Sequence, residues 1–184
     1  LGGFVPRDAG MVCNKKYGDC KDMASIIHEM LRMAGIKSYL TWIGSRDIPY
    51  TYQDVPTPSS DNHMITSYLD KNNKWVFLDG TGKKASIDTY TSFIQGKQAL
   101  IGISADSFQL ATVPILDTSL SQSIDSITID IKDRMIVGKG KAQLTGYDGL
   151  DYFYRSENMS KDERQEYFKA YFSKGNNKTN FEDV

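Results

Sequence analysis

Cys20 stands in Gly18-Asp19-Cys20-Lys21-Asp22, with Asp61-Asn62-His63 and Leu78-Asp79-Gly80 further along the chain. A cysteine, a histidine and an aspartate can share one reaction. The thiol attacks a carbonyl only as thiolate, and the unpaired amides and dipole of a helix N-terminus favour that anion. An imidazole takes the thiol proton and later returns it to the leaving group, while a carboxylate on its other nitrogen fixes tautomer and orientation. Those roles go to Cys20, His63 and Asp79 in turn. The other histidine, His28, falls eight residues after Cys20. On one helix that is about 12 Å along the axis, too far for it to act as the base.

Each residue also has a plainer reading. A lone cysteine at a helix start is ordinarily an inert small hydrophobe, a strand histidine is ordinarily a satisfied polar residue, and Asp before Gly is an ordinary turn former. Only the three together point to nucleophilic chemistry. Lys21 and Asp22 read as solvated first-turn residues, with Asp22 also able to cap free amides. Cys13 reads as a structural thiol, and Trp42 and Trp75 as core or hairpin packing. Zinc is the competing use of Cys, His and Asp. The chain has no Cys-x-x-Cys, no His-Glu-x-x-His and no calcium loop, so neither a metal nor another cofactor is expected.

The elements around these residues follow from pattern. Met23, Ile26, Ile27, Met30, Leu31 and Ala34 recur at helical period and Gly35 supplies a stop, which predicts a buried helix starting at Cys20. Ahead of it, 1–18 reads as loop. Residues 38–43 are rich in β formers, and the three prolines of 44–60 predict an irregular surface loop of the kind that borders binding sites. Residues 63–69 and 74–78 read as a hairpin. With Asp70-Lys71-Asn72 as its loop, Leu69 faces Asn73 and His63 faces Asp79, at Cβ separations of about 5 Å. A slip of one residue would place the two on opposite faces. Farther on, 87–93 reads as a short helix, 98–103 and 108–113 as strands, and 114–123 as a linker. Residues 124–131 and 135–144 form a second hairpin turning at Lys132-Asp133-Arg134, and 157–172 a helix with Ser160 and Glu163 in capping-box spacing.

A chain of 184 residues, 40% hydrophobic, can bury one sizeable core and a small second module. The fold class is α+β, with a boundary near 118 dividing a catalytic core (1–118) from a C-terminal β/α region (119–184). Twenty-two basic against 23 acidic residues give a net charge of -1, and no basic block is interleaved with aromatics, so nucleic acid is not an expected partner. No apolar run is long enough to span a bilayer and no signal peptide precedes Leu1. A first residue other than Met is what a processed or excised piece would carry. Two cysteines are too few for a disulfide framework and do not decide the redox compartment.

The stretches from Asn14 through Gly18-Asp19-Cys20-Lys21-Asp22 to Ala24, Asp61-Asn62-His63-Met64-Ile65, and Trp75-Val76-Phe77-Leu78-Asp79-Gly80-Thr81 resemble the three core motifs of the bacterial transglutaminase-like superfamily. The resemblance covers about residues 1–115. It implies a papain-like fold in which the nucleophile helix packs on an antiparallel sheet carrying the His and Asp. It further implies attack on a peptide or protein amide through a thioester, hydrolysis being favoured over amine transfer. In such enzymes the cysteine amide and an upstream side chain form the oxyanion hole, and Asn14 is the candidate side chain. Leu1-Gly2-Gly3 and the Gln95–Leu100 segment are similar to the branch in which this core lies between two β-rich domains. That implies an upstream β-rich domain, a loss of part of the core's first helix, and a bacterial periplasmic or cell-surface setting. The alternative is a catalytically silent binding or assembly module of the same envelope.

Overall fold

The computed structural model describes residues 5–82, 86–87, 89–176 and 178–182, apart from the Ser60 side chain. The Leu1-Gly2-Gly3 segment and part of the predicted 87–93 helix lie outside the described residues. The chain is α+β and divides into two units, 1–117 and 118–184.

In the first unit, helix α1 (Ala9–Lys15) precedes helix α2 (Cys20–Met33). A sheet follows, built from β1 (Ser38–Ile43), β2 (His63–Leu69), β3 (Trp75–Leu78), β4 (Gln98–Ser104) and β5 (Ser107–Thr112). The strands are antiparallel in the order β3-β2-β1-β4-β5. Thr66 Oγ1 on β2 donates to Ala24 O of α2 at 2.7 Å, which fixes the helix on one face of the sheet. The alternation of a pleated strand sends Ile43, Ile65, Phe77, Ala99 and Ile101 to the other face, where Ile94 and Val113 complete a buried cluster. Trp75 packs edge-on against Tyr39, and Trp42 against Phe108.

Several expectations change. The leading segment is not all loop, because Asp8 accepts from Met11 N and starts α1. The apolar stripe of α2 is buried only in part: Met30 is 63% exposed, while Ile26, Ile27 and Leu31 are half-buried. Lys21 and Asp22 are buried rather than solvated. The β2–β3 hairpin is two residues longer in register than predicted, with Leu69 opposite Trp75 and Thr66 opposite Leu78. Asp70 causes this. Its Oδ1 accepts from both Asn72 N and Lys74 N at 2.8 Å, and its own N–H donates to Lys74 O, so the connection runs to Lys74 with Asn73 left-handed. An even shift preserves faces, so His63 and Asp79 still share a side of the sheet. In place of the short helix over 87–93, a 3-10 turn forms at Ser92–Ile94.

The second unit pairs β6 (Ser123–Lys132) with β7 (Met135–Leu144) through a two-residue turn in which Asp133 and Arg134 both have positive φ. Helix α3 (Gly146–Ser156), which the sequence reading lacks, and helix α4 (Lys161–Ser173) follow. Ser160 and Glu163 form the predicted capping box of α4. Tyr152 stacks on Phe168, joining the helices, and Tyr171 meets Ser123 through their hydroxyls at 2.9 Å.

Candidate active site

The site forms where strand ends converge. Antiparallel pairing brings the end of β1, the start of β2 and the end of β3 to one margin of the sheet, with Ile43 opposite His63. His63 opens β2 and Asp79 follows the last residue of β3. One step beyond the observed pairing, Asp79 lies beside Ile65, so His63 reaches it diagonally. His63 Nε2 and Asp79 Oδ2 are 2.9 Å apart. With a carboxylate as acceptor, Nε2 carries the proton and Nδ1 keeps the basic lone pair.

Asp79 is held from several sides. Thr91 Oγ1 donates to the same Oδ2 at 2.5 Å, and Thr81 donates to Oδ1 from its N–H at 3.0 Å and its hydroxyl at 2.6 Å. Burial pushes the Asp79 carboxyl up, but the hydrogen bond and charge of His63 with the two threonines outweigh it and hold the group at about 2. Asp79 is therefore a carboxylate at neutral pH. Phe93 meets the His63 ring edge-on, with ring centres 5.0 Å apart.

The segment before His63 is gripped as firmly. Asn62 Oδ1 accepts from Ser45 N at 2.9 Å and Asn62 Nδ2 donates to Ser45 Oγ at 3.0 Å. Tyr52 donates its hydroxyl to Asp61, whose carboxyl is pushed up by burial against the pull of that bond and of Lys97. The 44–60 loop is thereby tied down beside the site, and Arg46 N donates to Phe93 O at 2.7 Å. A cavity of about 50 Å³ lies among Gly44, Ile48, Tyr52, Asp61 and Lys97. It is of water size, not of peptide size.

Cys20 is the first residue of α2, half-buried, and is a free thiol, as is the exposed Cys13. Asp19 caps the helix, accepting from Asp22 N, while Asp22 Oδ2 accepts from Asp19 N at 3.0 Å. The predicted capping by Asp22 is thus real, and Asp22 also takes Arg7, which lies 15 residues earlier. Arg7 donates from N, Nε and Nη2 at 2.7, 2.8 and 2.5 Å. Burial pushes the Asp22 carboxyl up, and those bonds outweigh it, keeping the group well below the usual carboxylate range. Two glycines let the helix approach: a Cβ on Gly18 would meet Asp22 Cβ at 2.8 Å, and one on Gly80 would meet Ile27 Cδ1 at 2.8 Å and Met23 Cβ at 3.0 Å. The last contacts set the first two turns of α2 against the residue after Asp79.

The structure thus joins His63 to Asp79 and packs α2, through Met23 and Ile27, against Gly80, the residue after Asp79. Among the described residues Cys20 forms no hydrogen bond to His63. Asn14 sits exposed in the last turn of α1, and its side chain forms no hydrogen bond among the described residues. His28 bonds Ser38 Oγ through Nδ1 at 2.9 Å, a structural use. No group of three or more His, Cys, Asp or Glu among the described residues is arranged to hold a metal ion. Thr91, Thr81, Phe93 and Arg7 escaped the sequence reading. Thr81 alone had a signal, two residues after an Asp in a turn.

The family model described as the Transglutaminase-like superfamily matches residues 3–80, a span that contains Cys20, His63 and Asp79. No curated protein and no solved structure matches the chain.

Proposed function

Since residues 3–80 are a transglutaminase-like superfamily domain, we propose that the protein is a cysteine enzyme acting on amide or peptide bonds through Cys20, His63 and Asp79. The observation that carries this reading is the 2.9 Å bond from His63 Nε2 to the Asp79 carboxylate. It leaves Nδ1 basic, at the sheet margin beside which α2 begins with a cysteine.

In this reading the arrangement is papain-like, and Cys20 Sγ gives its proton to His63 and attacks the carbonyl carbon. The C–N bond then breaks, His63 returns the proton to the departing amine, and a thioester remains. The Cys20 backbone amide is the first oxyanion donor, with Asn14 the candidate side-chain donor. Water attacks the thioester, its proton passing through His63 to the Cys20 sulfur as the acid leaves. Hydrolysis is favoured over transfer to an amine, as the family resemblance implies. The same resemblance supports a β-rich domain upstream and a bacterial periplasmic or cell-surface setting. Among the described residues no helix is long and apolar enough to cross a membrane.

A second reading, a silent binding or assembly module, draws on the missing Cys20–His63 hydrogen bond. Catalytic hydrogen bonds in unliganded enzymes are often long and tighten on substrate, so the first reading leads. The test is a peptide library incubated in 18O-labelled water with and without a primary amine. Product carboxyls carrying one 18O, lost in Cys20→Ser and His63→Ala, are expected. Amine in place of 18O would overturn the preference for hydrolysis, and no Cys20-dependent product would favour the silent module.

A further inference from the structure

The α2 N-terminus presents an electrostatic conflict. Its free amides would stabilise a thiolate at Cys20, yet Asp19 and Asp22, which flank that residue in sequence, occupy amides there and bring two carboxylates to the same helix end. Two like charges so close would disfavour a third. Each carboxylate, however, has its own cation. Arg7 binds Asp22 through two guanidinium nitrogens and approaches Asp19 to 3.8 Å, and Lys21 Nζ lies 2.5 Å from Asp19 Oδ2. The Asp22 side chain is wholly buried and that of Lys21 is 10% exposed, so water screens those two charges little, while Arg7 at 36% keeps part of its guanidinium in water.

Of the charged groups at this helix end, Asp19 is the cap of α2 and Lys21 and Asp22 lie in its first turn. The segment before α1 adds Arg7, and the sheet margin adds His63 with Asp79. The helix end with Arg7 sums to zero and leaves the peptide dipole in control.

We propose that Arg7 and Lys21 are positioning residues for Cys20: by neutralising Asp22 and Asp19 they keep the start of α2 hospitable to a thiolate. The inference rests on the reading of Cys20 as nucleophile and adds to it the electrostatic setting of that sulfur. Arg7 reaches the site from outside the three motifs, so this setting couples the segment before α1 to reactivity at α2. The clamp also supports the fold, because Asp22 fills the space that Gly18 leaves open. Charge compensation has a readout that support alone would not move.

The experiment measures iodoacetamide alkylation of Cys20 against pH, with Cys13→Ser as background and thermal midpoints alongside. Arg7→Gln should slow the reaction near pH 7 by up to about tenfold. Arg7→Lys should restore most of the rate. In Arg7→Gln with Asp22→Asn, the carboxylate leaves with its cation and the thiol should return toward the parent value. Lys21→Gln supplies the same comparison at Asp19 should Arg7→Gln fail to fold. A lowered thermal midpoint with the thiol unmoved in the folded variants would overturn the proposal. A parent thiol at the ordinary value would instead count against the proposed function, while the shift caused by Arg7→Gln would still decide the role of the cation.

Discussion

Replacing Thr91 by Val keeps the shape of the side chain and removes the 2.5 Å hydroxyl bond to Asp79 Oδ2. The carboxylate is 3% exposed and keeps His63 and Thr81. A hydrogen bond to a charged group contributes about 1.5–3 kcal/mol, and with three other donor groups remaining on His63 and Thr81 the lower end applies, about 1.5 kcal/mol at pH 7. The loss has a pH signature. Asp79 is held at about 2 against an ordinary 3.8, so it titrates lower in the folded chain than in the unfolded one. Its network therefore contributes about 2 kcal/mol above pH 4, which disappears as pH falls through 2. Thr91 supplies part of that sum. Urea unfolding of parent and Thr91→Val at pH 7, 5 and 3 should give a gap near 1.5 kcal/mol that narrows below about 1 kcal/mol at pH 3. A gap equal at pH 7 and pH 3, or under about 0.5 kcal/mol throughout, would refute the claim that Thr91 serves the ionised carboxylate.

Gly80→Ala should cost about 1–3 kcal/mol, because the new methyl group meets Ile27 and Met23 and α2 must move; denaturant midpoints measure the cost, and an unchanged midpoint would mean the helix yields freely. Arg134→Gly should stabilise the β6–β7 turn by about 0.5–1 kcal/mol, since Arg134 holds φ 64°, a conformation open to glycine without strain; slower amide exchange across the hairpin would register the gain, and faster exchange would count against it.

Much of this arrangement was legible from local pattern. The helix from Cys20, the strands of the sheet, the second hairpin and the Ser160 capping box follow from periodicities of 3.6 and 2 and from turn residues, which act over a few positions. The β2–β3 register was not legible, because one side chain, Asp70, accepts two amides and lengthens the connection. The same-face relation of His63 and Asp79 survives only because the shift is even. Helix α1 is seven residues long and buries Val12 alone, too little apolar repeat to read, although Asp8 was available as its cap. Helix α3 begins at Gly146 and contains Gly149, both of which signal turns. Thr91 and Arg7 reach Asp79 and Asp22 across 12 and 15 residues of chain, and no local rule ties a lone Thr or Arg to a distant carboxylate.

The account stands or falls on whether His63 acts on Cys20. The pH dependence of Cys20 alkylation, compared between the Cys13→Ser parent and its His63→Ala variant, measures this directly. Alkylation near pH 7 much faster than that of an ordinary thiol, and slowed when His63 is removed, is the predicted result. A rate no faster than that of an ordinary thiol, and indifferent to His63, would contradict the account and give the silent binding module the lead.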